Sequence, residues 1–214
     1  MKKLLFSAAL FLFSSMVFAQ FEGAKQTFSS PKLKSEIQKH KIVAILPFEA
    51  SITYKRTPKN YDSSANKNEE LNIAKDLQQS MYTYLLRKAD KYSVTFQDVD
   101  RTNALLKSKG IFNKLEELTQ DSICKVLGVD AVVKCRYSYE KTASEAGAIA
   151  KTLLFGSIGG KTGSGALTMQ IYNGKDGDLL WRFYKAMDDN VMSSTDALME
   201  RMMRKVSRNF PYEK

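Results

Sequence analysis

Two strands and the turn that joins them can be read from residues 166–185, which have the sequence ALTMQIYNGKDGDLLWRFYK. Leu179, Trp181 and Phe183 fall on one face of the second half, which is typical of a strand that covers a core. Between the halves lie two Asx-Gly pairs, Asn173-Gly174 and Asp176-Gly177, of the kind that supplies the positive φ angles of a tight turn. The segment therefore predicts a β-hairpin with strands at 166–172 and 179–185.

The hairpin is preceded by a strand with two distinct halves. Residues 130–140, DAVVKCRYSYE, are apolar on both sides at first and alternate between apolar and polar afterwards. The first half is typical of a strand covered on both faces, and the second half of a strand covered on one.

Hydrophobic periodicity places the remaining elements around these three strands. Two more strands are predicted, at 41–47 (KIVAILP) and 92–97 (YSVTFQ). Helices are predicted at about 68–88, after a cap at Asp98 or Asp100 and ending before Gly110, at about 120–127 and at about 195–208. The order β-α-β-α-α-β-β-β-α predicts a single α/β domain with a mixed sheet over residues 41–210.

The composition excludes several classes of protein. Of 214 residues, 43% are hydrophobic and 26% are charged, which excludes a disordered tail and a collagen-like repeat. One His and two Cys supply few ligands for zinc and little for His-based catalysis. The formal net charge of +10 is spread along the chain and indicates a solvated basic surface, with an anionic membrane surface or a glycan as the alternative partner.

Residues 1–19, MKKLLFSAALFLFSSMVFA, have the three parts of a secretory signal peptide: a basic start, an apolar stretch and a small-residue cleavage site. An uncleaved membrane anchor is the alternative. Export predicts a periplasmic protein, peripheral at the outer membrane, that does not meet nucleic acid. Residue 20 is Gln rather than Cys, so no lipid anchor is predicted at the mature N terminus. Residues 20–40 are polar and predict a flexible arm.

Several segments resemble a group of bacterial envelope proteins. They are KIVAILPF at 41–48, YSVTF at 92–96, LGVDAVV at 127–133 and IYNGKDGDLLW at 171–181. The group contains the curli-secretion channel component with its CsgG-like relatives, lipoproteins that activate peptidoglycan synthases, and the N-terminal domain of the Tol-system β-propeller protein. The resemblance implies a fold similar to the anticodon-binding domain of aminoacyl-tRNA synthetases over residues 41–208.

This resemblance implies a non-enzymatic accessory protein that acts in envelope assembly, secretion or regulation through contacts with envelope proteins. One alternative is an oligomeric, pore-forming or membrane-associated ring component made of copies of the chain itself. A nucleotide-binding enzyme is the last alternative. No catalytic, cofactor-binding or metal-binding residue is predicted, and no cofactor.

Two long irregular segments are the predicted contact regions. The first is a polar loop at 49–67 with Tyr54 and Tyr61. The second is an inserted, glycine-rich apolar loop at 143–165, where the candidates for contact are Ile149, Leu153, Leu154 and Phe155. A loop folded back on its own domain is the alternative for the second.

The remaining motifs favour structure over chemistry. Gly156-Ser-Ile-Gly-Gly-Lys-Thr162 lacks the spacing of a phosphate-binding P-loop and precedes a strand rather than a helix. Cys124 and Cys135 are predicted to be too far apart for a disulfide and to be two buried thiols. His40 has no second His beside it, so no metal site is predicted there.

Overall fold

The computed structural model of the chain describes residues 25–141, 163–189, 195–206 and 209–214. The predicted signal peptide and most of the inserted loop lie outside these described residues. So do the P-loop-like motif and four of the six candidate contact residues, Ile149, Leu153, Leu154 and Phe155.

Seven strands and five helices form within the described residues. The strands are β1 (Lys25–Ser29), β2 (Ile42–Ile45), β3 (Glu49–Tyr54), β4 (Thr95–Phe96), β5 (Ala131–Lys141), β6 (Gly163–Asn173) and β7 (Leu179–Asp189). The helices are α1 (Leu33–Ile37), α2 (Ser63–Leu86), α3 (Val99–Ser108), α4 (Gln120–Leu127) and α5 (Thr195–Val206).

All seven strands belong to one mixed sheet with the order β1-β7-β6-β5-β2-β4, which confirms the predicted α/β class. The β2, β3, β4 and β5 strands are parallel to one another, whereas β6 is antiparallel to β5 and β7, and β1 is antiparallel to β7. The β2 strand pairs with the beginning of β5, and β3 pairs with its end. The chain therefore places two successive strands along the same side of β5.

Apolar side chains pack on both faces of the sheet because successive residues of a strand point to opposite faces. Val43 and Val133 belong to the larger cluster, which α2 and α5 cover. Ala44 and Val132 belong to a smaller cluster, which α3 and α4 cover. The doubly apolar start of β5 is thus explained by a layer of helices on each side.

The two cysteines lie on opposite faces of this sheet. Cys135 belongs to the larger cluster and Cys124 to the smaller one. Both are free and buried, which confirms the expectation of two buried thiols. Burial raises the pKa of the Cys124 thiol to about 12 and also raises the pKa of Cys135.

The predicted hairpin between β6 and β7 forms, although its two glycines act differently. Gly177 has a φ of +76°. Gly174 is required by close approach instead, since a Cβ atom there would lie 2.6 Å from the Asp130 carbonyl oxygen. Its backbone N–H donates to that same oxygen at 2.8 Å, which joins the turn to the start of β5.

Residues 25–40 correct the predicted arm and the domain boundary at residue 41. Residues 25–29 form β1 on β7, and α1 packs Leu33 and Ile37 against the larger cluster. All five residues of β1 are exposed, so the strand lacks the alternation that would have indicated it.

Residues 49–67 are also more regular than predicted. The β3 strand occupies the beginning of this segment, and α2 begins at Ser63 rather than near residue 68. The Asp62 side chain caps α2 by accepting hydrogen bonds from the backbone N–H groups of Ser64 and Ala65. Only residues 55–62 remain as a loop.

Candidate functional site

A groove of about 740 Å³ opens where β2 ends, between α2 and α3. Pro47 follows the strand and cannot donate a backbone hydrogen bond, so the chain leaves β2 before it resumes as β3. Crevices at the carboxyl ends of parallel strands are the usual ligand sites of α/β sheets. The groove is therefore the first candidate for a binding site.

Apolar side chains form much of its lining. They are Leu46, Phe48, Leu71, Ala74, Phe112 and Leu115. The periodicity of the predicted helix at about 68–88 puts Leu71 on the same face as Leu77 and Met81, but Leu71 is 58% exposed in the structure, which corrects that prediction. It precedes the buried Leu77 by six residues, which places it about 120° away around a helix of 3.6 residues per turn.

A pair of amides fixes the distance between α2 and α3 at the base of the groove. Asn103 Nδ2 donates to Gln78 Oε1 at 2.9 Å, and Gln78 Nε2 donates to Asn103 Oδ1 at 3.2 Å. Gln78 Nε2 also donates to the Ile45 carbonyl at 2.9 Å. These contacts join both helices to the last residue of β2, so the groove has a fixed base.

Ion pairs stand at the rim next to β5. The Glu49 carboxylate lies 2.8 Å from Lys134 Nζ and accepts a hydrogen bond from Arg136 Nε at 2.7 Å. Burial raises the pKa of the Glu49 carboxyl, but the hydrogen bonds from these two cations outweigh that effect and hold the pKa below its ordinary value. Glu49 is therefore an ionised partner in fixed ion pairs rather than a proton donor.

The two candidate tyrosines meet outside the groove. Tyr54 ends β3, and its ring centroid lies 5.6 Å from that of Tyr61 in an edge-on arrangement. Lys141 Nζ lies 5.4 Å from the centroid of the Tyr54 ring. The structure thus brings together the candidate residues of the loop at 49–67, and their role in contact stays a prediction.

His40 is buried in a hydrogen-bond network instead of standing alone before β2. Its Nδ1 lies 2.7 Å from the Tyr212 hydroxyl, and its Nε2 lies 3.1 Å from Asn173 Oδ1. Across the described ranges, no three His, Cys, Asp or Glu residues come together as potential metal ligands. Nor does any helix of that part of the chain have the length and apolar character needed to cross a membrane.

The groove itself was not predicted from the sequence. Its walls come from α2, α3 and the segment at 112–116, which are far apart in the chain. The one local signal is Leu71, an apolar residue off the buried face of its helix.

Comparison with known proteins identifies no family. No family model matches the chain, and no curated protein matches it. Solved structures that resemble it include lipoprotein GNA1162 from Neisseria meningitidis, with 10% identity, a TM-score of 0.46, and coverage of 78% of this chain and 96% of that one. A PelC dodecamer from Paraburkholderia phytofirmans has 12% identity and a TM-score of 0.40, with 89% of this chain and 97% of that one covered.

The LpoB C-terminal domain from Salmonella enterica has 13% identity and a TM-score of 0.35, with 73% of this chain and 93% of that one covered. TM-scores below 0.5 at such identities establish neither a family nor a shared function. Membership of the CsgG-like group stays a prediction.

Proposed function

We propose that this chain is a non-enzymatic, exported accessory protein of the cell envelope, and that it binds a protein partner in the groove at the end of β2. Assembly, secretion or regulation of other envelope proteins would be its role. The observation that carries the proposal is the groove, with Leu71 exposed at its lip. The residues at 1–19 support export, and the segments that resemble envelope proteins support the compartment.

The chemistry of the groove favours a polypeptide over a reacting substrate. Leu46, Phe48 and Phe112 offer apolar contact, and the fixed amides of Gln78 and Asn103 are already hydrogen-bonded to each other. Glu49 is engaged by two cations. Apolar centres with a polar rim are typical of protein interfaces.

We propose Tyr54 and Tyr61 as a second contact region of this chain. A third consists of Ile149, Leu153, Leu154 and Phe155.

The location we propose is the periplasm, at the inner surface of the outer membrane. Self-association of the chain can be tested separately, by measuring its mass in solution with and without residues 143–165.

Two leucines of α2 allow a matched test of the groove. Leu71 lines it, whereas Leu86 lies on the same helix outside it, and the two are 58% and 50% exposed. The full chain, produced in its own cells, carries a photo-reactive phenylalanine analogue at position 71 or at position 86. We expect one envelope protein to be cross-linked from position 71 and not from position 86.

Binding of that protein is then measured for Leu71→Asp and Leu86→Asp. We expect Leu71→Asp to weaken binding by roughly tenfold or more, as loss of a central interface contact does, and Leu86→Asp to leave it unchanged. Equal yields from both positions, or no protein adduct from position 71, would contradict the proposal.

A further inference from the structure

Within the part of the chain that the structure describes, the β1 strand leaves one edge of the sheet open. It is the last strand on its side, and β7 pairs with it along one edge only. The Ser30 N–H donates to the Leu180 carbonyl at 2.8 Å, in register with the β1–β7 pairing. Ser30 and Leu180 thus form a hydrogen-bonded pair. Along an antiparallel pair of strands, hydrogen-bonded and non-hydrogen-bonded pairs alternate, so every second residue before Ser30 also bonds to β7. Phe28 and Gln26 therefore bond to β7, and the backbone groups of Lys25, Thr27 and Ser29 point outward.

The side chains at this edge combine an apolar residue with a cation. Phe28 is 47% exposed and lies opposite Arg182 of β7 in the register, so both side chains point to the same face. Arg182 is exposed and makes no side-chain hydrogen bond or ion pair with another described residue. Asp178, the acidic residue just before β7, is already paired with Lys32 at 2.7 Å. The edge thus has basic charge to offer to a ligand.

We propose that the open edge of β1 binds an extended, acidic segment of a partner protein as an additional strand. The outward N–H and C=O groups of Lys25, Thr27 and Ser29 form the main-chain hydrogen bonds, which is how exposed sheet edges bind peptides. Phe28 packs against an apolar side chain of that segment. Arg182 lies on β7, two strand spacings or about 9.6 Å from the added strand, and binds a carboxylate of that strand because the arginine and a Glu side chain together span this distance over β1.

Two observations select this occupant. A row of outward peptide groups matches another polypeptide backbone, which a lipid or a glycan lacks. Two copies of the chain from residue 20 onward would each carry +8, since 31 Lys and Arg face 23 Asp and Glu, and would repel one another, whereas an acidic segment is attracted. The inference shares with the proposed function only the assumption that the partner is a protein. It does not depend on the groove, which lies at the end of β2 and not at β1.

Synthetic peptides test the inference with the full chain. The probe is a labelled twelve-residue peptide with the repeat Val-Thr-Glu-Thr, which places Val and Glu in turn on one face of a strand and Thr on the other. Its binding is followed by fluorescence anisotropy at low and high salt. One comparison peptide has Lys in place of Glu. The other keeps Glu but is N-methylated at every residue, which removes the N–H groups of both edges. We expect only the unmethylated acidic peptide to bind, and its binding to weaken as salt is added.

Variants of the chain locate the binding. Thr27→Pro removes an outward N–H without removing a bond to β7, and Thr27→Val keeps that N–H. We expect Thr27→Pro and Arg182→Gln each to weaken binding roughly tenfold, about 1.4 kcal/mol, and Thr27→Val to bind like the wild type. Leu71→Asp is expected to bind this peptide normally, so the groove and the edge can fail independently.

Three results would overturn the inference. The methylated peptide could bind as well as the unmethylated one, or Thr27→Pro could bind like the wild type. Self-association of the full chain that Thr27→Pro abolishes would assign the edge to a second copy instead.

Discussion

The β3 and β1 strands both have an outer edge, and the structure treats these edges in opposite ways. At β3, the Ile52 N–H donates to Glu70 Oε1 at 2.9 Å, and the Ile52 carbonyl accepts from Asn66 Nδ2 at 3.3 Å. Both side chains come from α2, which lies along that edge. At β1, no described side chain covers the outward backbone groups. Since an uncovered edge is a template for another strand, the difference separates a closed edge from one available for binding.

On the third outer edge of the sheet, residues 212–214 pair with residues 91–93, which lead into β4. The Ser93 N–H donates to the Tyr212 carbonyl at 2.9 Å, and the Lys214 N–H donates to the Lys91 carbonyl at 2.9 Å. Tyr212 is fully buried, and its hydroxyl contacts His40 Nδ1. Asn173 uses its amide Nδ2 to donate to Asp176, so its Oδ1 accepts from His40 Nε2. In the neutral imidazole, His40 Nδ1 is then the acceptor of the Tyr212 hydroxyl, and this bond joins residue 212 to the segment just before β2.

Releasing the pairing between residues 212–214 and 91–93 should have the largest effect on stability. Tyr212→Ala removes a fully buried aromatic ring, and we expect the free energy of unfolding to fall by roughly 3–5 kcal/mol. Urea unfolding measures the loss. Hydrogen exchange at the Ser93 amide should accelerate more than exchange in β6. Tyr212→Phe keeps the ring and loses only the bond to His40, so about 1 kcal/mol is expected. Equal losses for both variants would show that the ring does not hold this pairing together.

Removing the side chain that covers the β3 edge should lower the free energy of unfolding by a smaller amount. Glu70→Ala leaves the N–H of the buried Ile52 without its acceptor, and we expect a loss of about 1–3 kcal/mol. The freed edge should also promote association, which light scattering at increasing concentration detects. Glu70→Gln retains an acceptor oxygen and is the matched control. If Glu70→Gln destabilises as much as Glu70→Ala, charge and not edge closure explains the effect.

The sequence predicts the parts of this sheet whose signals are local. The doubly apolar start of β5 and the hairpin between β6 and β7 are each visible within a few residues, and the structure has both. The β1 strand was missed because every one of its residues is exposed, so its only signal is a partner more than 150 residues away. The β3 strand was missed because its pairing depends on where β2 ends. The groove and the hydrogen bonds from α2 to the Ile52 backbone depend in turn on where β2 ends and β3 begins, so they have no local signal either.

Lowering the pH should remove the stabilisation that Glu49 provides at the beginning of β3. Glu49 begins β3, and its pKa is below the ordinary value because Lys134 and Arg136 outweigh the effect of burial. Its stabilising contribution is therefore complete above the unfolded-state pKa of about 4.3 and is lost as the pH falls through the lower folded-state pKa. Glu49→Gln should destabilise the protein near neutral pH, with a difference from wild type that shrinks toward about pH 3. Urea unfolding at a series of pH values measures it, and a difference that does not change with pH would contradict this account.

A substitution that removes an outward backbone N–H of β1 should have the smallest effect on stability. Thr27 lies in a non-hydrogen-bonded position of β1, so its N–H points to solvent, and proline is compatible with an edge strand at such a position. We expect Thr27→Pro to change the free energy of unfolding by no more than about 0.5 kcal/mol. Gln26→Pro, one residue away, removes a bond to β7 and should cost about 1–3 kcal/mol. If the two prolines have equal effects on urea unfolding, the outward direction of the Thr27 N–H is wrong, and with it the reason for regarding this edge as open. If only Gln26→Pro destabilises, the β1 edge contributes little to folding through its outer side, and that side is free to bind another strand.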